Sequence, residues 1–144
     1  LLTTVQDNGE AINALMESWK SLPSDEVLVL MGHGTTHYAN AVYAALDYTF
    51  KDLGYKNVFL GTVEAYPSMM SLLRQIKEYN PSKIHLAPFM IVAGDHARND
   101  MAGEDPESWS RQFMDAGYPV ESHLKGLGEY EGIRRIFLRH IDEA

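Results

Sequence analysis

Short apolar segments alternate with amphipathic segments along most of the chain. Four of the apolar segments have the length and the aliphatic content of strands buried in a sheet. The predicted strands cover Glu26 to Met31, Asn57 to Val63, Lys83 to Val92 and Val120 to Leu124. Pro88 marks a bend or an end within the third of them. Because helices separate these strands, the pattern predicts right-handed crossovers and a mostly parallel sheet.

Between the strands, apolar residues recur at the spacing of helices. The predicted helical faces run from Ile12 to Trp19, Tyr38 to Leu53, Met69 to Ile76, Trp109 to Phe113 and Ile133 to Ile141. The acidic segment from Asp95 to Glu107 reads as a functional loop or lid that enters the fourth helix. We therefore expect residues 1–144 to form one α/β domain. Its expected architecture is a three-layer α/β/α sandwich, with a four-stranded parallel sheet and helices on both faces.

Length and charge narrow the classes of function. The chain has 144 residues, 45% of them hydrophobic and 22% charged, which is ordinary for one globular domain. The apolar runs are too short for a transmembrane helix. A formal net charge of -8 without a basic stripe argues against nucleic acid and anionic membrane surfaces as partners.

The absence of cysteine removes disulfides, thiolate metal sites and cysteine nucleophiles. No signal-peptide pattern is present, so we expect a cytoplasmic protein. The periplasm is the alternative, because the chain begins at Leu1 rather than at Met and its true N-terminus is expected upstream.

Three residues that could bind a metal follow three successive predicted strands. His33, Glu64 and His96 are 31 and 32 residues apart, about one βα unit each, and the carboxyl ends of parallel strands share one edge. Two histidines and a carboxylate suit divalent cobalt, nickel, iron or zinc, and the imidazoles could also accept protons. Singly, such residues often only cap helices or balance helix dipoles. No phosphate-binding glycine motif is present, so neither ATP nor another nucleotide is expected as a cofactor.

The other histidines fit structural roles better. His85 lies inside a predicted buried strand and reads as a core residue whose polar atoms are satisfied. His123, in the last strand, is expected to reach the rim of the cleft. His37 and His140 are expected to face solvent at helices.

Four segments carry a resemblance to a known family. They are residues 31–40 (MGHGTTHYAN), 64–67 (EAYP), 93–103 (AGDHARNDMAG) and 126–130 (GLGEY). Together they resemble the anaerobic cobalt chelatases, class II chelatases that insert cobalt(II) into sirohydrochlorin without ATP in anaerobic cobalamin biosynthesis. The similarity runs over essentially the whole chain.

The resemblance implies that His33, Glu64 and His96 bind the substrate cobalt(II) and assist the loss of the pyrrole protons. Sirohydrochlorin is a polycarboxylate, so its expected contacts are Arg98, Lys125 and the backbone N–H groups of Gly34, Thr35 and Thr36 at a helix N-terminus. The acidic segment is expected to attract the cation.

Family members consist of two similar α/β halves, and this chain matches the C-terminal half. Its expected partner is therefore the missing N-terminal half or a second copy of the chain. Two alternatives stay open, namely a chelatase of the same class for iron or nickel, and a non-catalytic module that binds metal or tetrapyrrole.

Overall fold

A computed structural model of the chain describes residues 5–35, 40–90 and 94–143. The side chains of residues 5–7, 95, 96, 137, 140, 142 and 143 lie outside this description. In chain order the elements are α1 (Val5–Glu17), β1 (Glu26–Gly32), α2 (Ala41–Asp52), β2 (Val58–Thr62), α3 (Met69–Tyr79), β3 (Lys83–Pro88), α4 (Asp95–Ala102), α5 (Trp109–Asp115), β4 (Val120–Ser122), a short 3₁₀ helix (Leu127–Glu129) and α6 (Glu131–Glu143).

The four strands form one parallel sheet in the order β2-β1-β3-β4. Leu28 of β1 lies opposite Val58 of β2 and His85 of β3, and His85 in turn lies opposite Glu121 of β4. The predicted parallel sheet is thereby confirmed, with β1 and β3 at its centre and β4 at one edge.

Helices cover both faces of the sheet, as the alternating pattern predicts. The even-numbered side chains of β1, such as Leu28 and Leu30, pack beneath α1, α2 and α6. The odd-numbered ones, such as Val27 and Val29, pack beneath α3, α4 and α5. Since each strand side chain alternates between faces, the all-apolar run of β1 supplies both cores, and the three-layer architecture is confirmed.

Two predicted boundaries differ from the structure. The segment expected to be a loop from Asp95 onward instead forms α4, because Ala97 and Met101 are one turn apart and pack into the second core. The third strand ends at Pro88, and a last bond to β1 follows it, from the N–H of Phe89 to the carbonyl of Met31. Its predicted extension reaches residues 91 and 92, outside the described part of the chain.

Serine side chains begin two of the helices. Ser68 accepts a hydrogen bond from the N–H of Ser71 at the start of α3, and Ser108 does the same from Arg111 at α5. Such caps satisfy N–H groups that a helix leaves unpaired in its first turn. Within the described residues, no helix has the length and apolar content needed to cross a membrane.

Candidate functional site

His33 and Glu64 meet where β1 and β2 end. The backbone ladder continues past both strands, with the N–H of Val63 donating to the carbonyl of Gly32 and the N–H of Glu64 donating to that of His33. This pairing brings His33 Nδ1 within 3.9 Å of Glu64 Oε2. Both side chains are largely exposed, 66% and 60% of their surface, so a large ligand could reach them. We call His33 and Glu64, with His96 as the predicted third member, the carboxyl-edge site.

A backbone carbonyl orients the His33 ring. His33 Nδ1 lies 2.9 Å from the carbonyl oxygen of Gly34. Because a carbonyl can only accept, Nδ1 carries the proton and the lone pair of the neutral ring is on Nε2. The atom available to a metal or a proton is therefore Nε2.

Glycine shapes the turn after β1. Gly34 has φ of +85°, and a Cβ there would lie 2.8 Å from Cβ of Thr62 and 3.2 Å from the N of Ala65. Only glycine accommodates both this backbone conformation and this approach without strain. The turn after β1 thus rests directly on the turn after β2, which holds His33 beside Glu64.

Asn40 joins the same two turns. Its Oδ1 accepts from the N–H of Thr35 at 2.9 Å, and its Nδ2 donates to the carbonyl of Tyr66 at 2.6 Å. The N–H of Thr35 is therefore already engaged, and α2 begins only at Ala41. The prediction that Gly34, Thr35 and Thr36 lie at a helix N-terminus stays a prediction, because residues 36–39 lie outside the described part of the chain.

The other predicted site residues lie on α4 or near the 3₁₀ helix. Gly94 precedes α4, and the backbone of His96 lies in its first turn, whereas the His96 side chain lies outside the description. Arg98 is exposed on the same helix. The Lys125 ammonium lies 4.1 Å from the centre of the Tyr130 ring.

An open cleft lies beside Val63, the residue before Glu64. It encloses about 380 Å³ between the end of β2 and the α4–α5 region. Three carboxylates, those of Asp100, Asp105 and Glu107, contribute to its lining. A cleft with this charge favours cations over anions.

A second imidazole–carboxylate group lies on the sheet itself, on the face covered by α1 and α6. His85 Nδ1 is 3.1 Å from both His123 Nε2 and Glu121 Oε2. His123 Nε2 and Glu121 Oε2 are 3.0 Å apart. The remaining nitrogen of His85, Nε2, lies 2.6 Å from Glu26 Oε1. We call His85, Glu121 and His123 the sheet-edge cluster.

Burial and charge shift two pKa values in this cluster. Burial lowers the pKa of His123, although the carboxylate of Glu121 opposes the effect. The Lys83 ammonium, whose Nζ lies 3.6 Å from Glu121 Oε1, is the main cause of a lowered pKa at Glu121. The ordinary states near neutral pH are thus a neutral His123 and an ionised Glu121.

The sequence predicted only part of this cluster. His85 is buried and hydrogen-bonded, as expected. His123 was expected at the rim of the cleft, but its ring contacts His85 and Glu121, and its backbone N–H donates to Leu86 within the sheet. Glu121 had no predicted role. The available signal was its i, i+2 spacing from His123, which puts both on one face of β4 and of the extended residue that follows it.

Comparisons with known proteins agree with the fold and with the segments described above. The family model described as cobalt chelatase (CbiK) matches residues 2–144. The sirohydrochlorin cobaltochelatase of Salmonella typhimurium is 40% identical over 144 residues, which are all of this chain and 54% of that protein. The sirohydrochlorin cobaltochelatase CbiKC of Nitratidesulfovibrio vulgaris is 36% identical over 120 residues, 83% of this chain and 42% of that protein.

The chain thus spans about half the length of the curated relatives it matches. Among solved structures, DR2241 from Deinococcus radiodurans, a multi-domain protein with structural similarity to chelatases, superimposes with a TM-score of 0.60 at 15% identity. That match covers 92% of this chain and 28% of the other. At this identity the likeness concerns the fold alone.

Proposed function

Because the chain belongs to the cobalt chelatase (CbiK) family, we propose that it forms the C-terminal half of an enzyme that inserts cobalt(II) into sirohydrochlorin. One observation carries the proposal: His33 and Glu64 meet at the carboxyl edge of a sheet, 3.9 Å apart and open to solvent, in a chain whose residues 2–144 match that family. Ligands of open parallel sheets bind at this edge.

Metal insertion exchanges one divalent cation for two protons. Cobalt(II) forms bonds to the macrocycle nitrogens, and the two pyrrole N–H groups lose their protons to bases or to water. Nothing in this exchange transfers a phosphoryl group, so we propose that it needs neither ATP nor another nucleotide.

We assign the delivery of cobalt(II) to His33, Glu64 and His96. The Nε2 lone pair of His33 faces away from its Gly34 contact and is available as a ligand. Glu64 supplies a carboxylate, whose Oε2 lies 3.9 Å from Nδ1 of the same ring. Once cobalt(II) moves to the macrocycle, the freed imidazole and carboxylate become the nearest bases for the pyrrole protons. The acids of the neighbouring cleft favour the approach of the cation.

A second protein surface is needed to enclose the macrocycle against the carboxyl edge. In the proposed enzyme the N-terminal half provides this surface, and for the isolated chain a second copy provides it. Exposed apolar side chains support the choice of this edge as the contact, since Tyr66 and Met70 follow β2 and are 62% and 70% exposed. We propose Arg98 as a contact for the substrate carboxylates. The cytoplasmic location stays a prediction, to be tested by locating the tagged parent protein in cells.

The decisive experiment is a turnover assay on the full-length parent enzyme that contains this chain. Sirohydrochlorin and cobalt(II) are mixed with enzyme, and the absorbance change of the macrocycle on metal insertion is followed. We expect His33→Ala, Glu64→Gln and His96→Ala each to lower the rate at least about 100-fold, as loss of a proton-transfer or ligand group does. The matched control is Glu78→Gln, on the exposed side of α3.

Other results would replace the proposal. Faster insertion of iron(II) or nickel(II) than of cobalt(II) would assign a different metal. Tight binding of sirohydrochlorin without turnover by the wild-type parent would identify a non-catalytic module. Unchanged rates in all three variants would remove the carboxyl-edge site from the mechanism.

A further inference from the structure

We propose that the sheet-edge cluster is a second metal site, in which His85, Glu121 and His123 bind one borderline divalent cation such as Zn²⁺ or Co²⁺. This site is separate from the carboxyl-edge site and does not depend on the proposed function. It rests on the geometry of three side chains that come from β3, β4 and the residue following β4.

The three potential ligand atoms form a nearly regular triangle. Its sides are 3.1 Å from His85 Nδ1 to His123 Nε2, 3.1 Å from His85 Nδ1 to Glu121 Oε2, and 3.0 Å from His123 Nε2 to Glu121 Oε2. Ligands about 2.0–2.2 Å from one ion, at angles between octahedral and tetrahedral, are about 2.8–3.6 Å apart. All three sides fall in that range, so one ion above the triangle could bind all three atoms.

Glu26 fixes the ring of His85 in the orientation that a metal ligand needs. A carboxylate can only accept, so the His85 N–H that faces Glu26 Oε1 at 2.6 Å is on Nε2. The lone pair of the neutral ring is then on Nδ1, the atom that belongs to the triangle. A carboxylate that accepts from the far nitrogen of a histidine is the usual second contact of a histidine metal ligand.

The three atoms face one another across the centre of the triangle. Glu121 Oε2 lies 3.1 Å from His85 Nδ1, and His123 Nε2 lies within 3.1 Å of both. A cation at the centre would bind the lone pairs of all three atoms together.

The surroundings allow an ion to enter and to stay. β4 is the last strand in the sheet order, and the exposure of the side chains rises from 10% at His85 to 33% at His123 and 49% at Glu121. The other oxygen of Glu121 faces Lys83, which leaves Oε2 for the triangle. Two carboxylates against one ammonium give the immediate surroundings a net negative charge, which favours a cation.

Trp19 makes the site observable. Its ring packs edge-on against both imidazoles, with centroids 5.5 Å from His85 and 4.8 Å from His123. The second tryptophan, Trp109, packs in the core on the opposite face of the sheet. In a Trp109→Phe background, indole fluorescence therefore reports on this cluster.

The test titrates the 144-residue chain carrying Trp109→Phe with Co²⁺, a paramagnetic quencher, after treatment with EDTA. We expect quenching of Trp19 that saturates as a single site, is reversed by EDTA and is competed by Zn²⁺. His123→Ala and Glu121→Gln should each weaken this signal at least about tenfold. His33→Ala, at the carboxyl edge, should leave it unchanged.

Both cluster variants are at or beside the exposed edge, so circular dichroism should show them folded. Quenching of equal affinity in His123→Ala and in the parent would overturn the proposal, as would quenching that does not saturate in the wild type. Loss of the signal in His33→Ala alone would assign the bound ion to the carboxyl edge. Failure of the turnover assay above would leave this result unaffected.

Discussion

The two imidazole–carboxylate groups of this chain are positioned by different kinds of structure, one by turns and the other by strands. The carboxyl-edge site is built on turns after β1 and β2, where His33 and Glu64 are mostly exposed and 3.9 Å apart. The sheet-edge cluster is built on the strands, with the His85 ring buried and its three ligand atoms within 3.1 Å of one another. The first group is open to solvent and its atoms are farther apart, whereas the second is partly buried and its atoms are closer together.

This difference matches what each group is proposed to do. A metal that must pass to a macrocycle needs ligands that release it, and a large substrate needs an exposed edge. A resident ion is better held by ligands whose orientation is fixed by packing and by a further carboxylate, as Glu26 does for His85.

The largest expected contrast is between His85→Ala and His33→Ala. Removing the buried His85 ring leaves a gap and places Glu26 and Glu121 near each other without the imidazole that contacts both. Leaving a partly buried acceptor without its donor costs about 1–3 kcal/mol, and the gap adds to this loss, whereas an exposed substitution such as His33→Ala should cost at most about 0.5 kcal/mol. Urea unfolding in EDTA at pH 7 measures both.

Equal losses in these two variants would mean that the carboxyl-edge site also stabilises the fold. A small loss in His85→Ala would mean that the sheet-edge cluster is weakly coupled to its surroundings. Either result would contradict the proposed difference between the carboxyl-edge site and the sheet-edge cluster.

A second contrast compares Gly34→Ala with Gly54→Ala. Both glycines have positive φ, +85° and +98°, and an alanine in that region costs about 1–2 kcal/mol. Only at Gly34 does the new Cβ meet neighbours, at 2.8 Å from Thr62, whereas at Gly54 no atom lies within 4 Å. We expect Gly34→Ala to be less stable than Gly54→Ala by about 1–3 kcal/mol, as overpacked sites are.

The same pair of variants has a functional readout. Gly34→Ala should push the turn after β1 away from Thr62 and so separate His33 from Glu64, which weakens cobalt binding at the carboxyl edge. Gly54→Ala should leave that binding unchanged. Equal stability of the two variants in urea would show that the Gly34 turn has room to move.

Local patterns were sufficient to predict most of the fold. The aliphatic run of β1 and the helical spacing of Leu72 and Ile76 specified their elements because burial and periodicity act over a few residues. The prediction of a loop from Asp95 onward was wrong because the segment is mostly acidic and polar, and only Ala97 and Met101, one turn apart, indicate a helix.

The two groups differed in how far they could be predicted. His33 and Glu64 follow strand ends, and the ends of parallel strands meet at one edge in any register, so their meeting could be expected from order along the chain. The sheet-edge cluster depends on the register of β3 against β4, which pairs His85 with Glu121. Register is fixed by packing across the whole sheet, so the role of Glu121 could not be predicted from its own segment.

The smallest expected effect is a pH dependence that separates the covered face from the open edge. Tyr130 is buried in the core beneath α1 and α6, and this burial raises the pKa of its hydroxyl, with the nearby Glu129 carboxylate adding to the effect. Above pH of about 10, the unfolded chain therefore loses this proton before the folded chain does. The unfolded state then binds fewer protons than the folded state, so stability falls as pH rises through this window, and below it the residue contributes no pH dependence.

Tyr130→Phe removes that ionisation and should flatten the alkaline side of the stability curve measured by urea unfolding between pH 8 and 11. The matched control is Tyr66→Phe at the carboxyl edge, where the ring is 62% exposed and its surroundings change little on unfolding. Its curve should keep the shape of the wild-type curve, since an exposed side chain meets water in both states. If Tyr66→Phe flattened the alkaline limb as much as Tyr130→Phe, burial of Tyr130 in the core would not be the cause of this pH dependence.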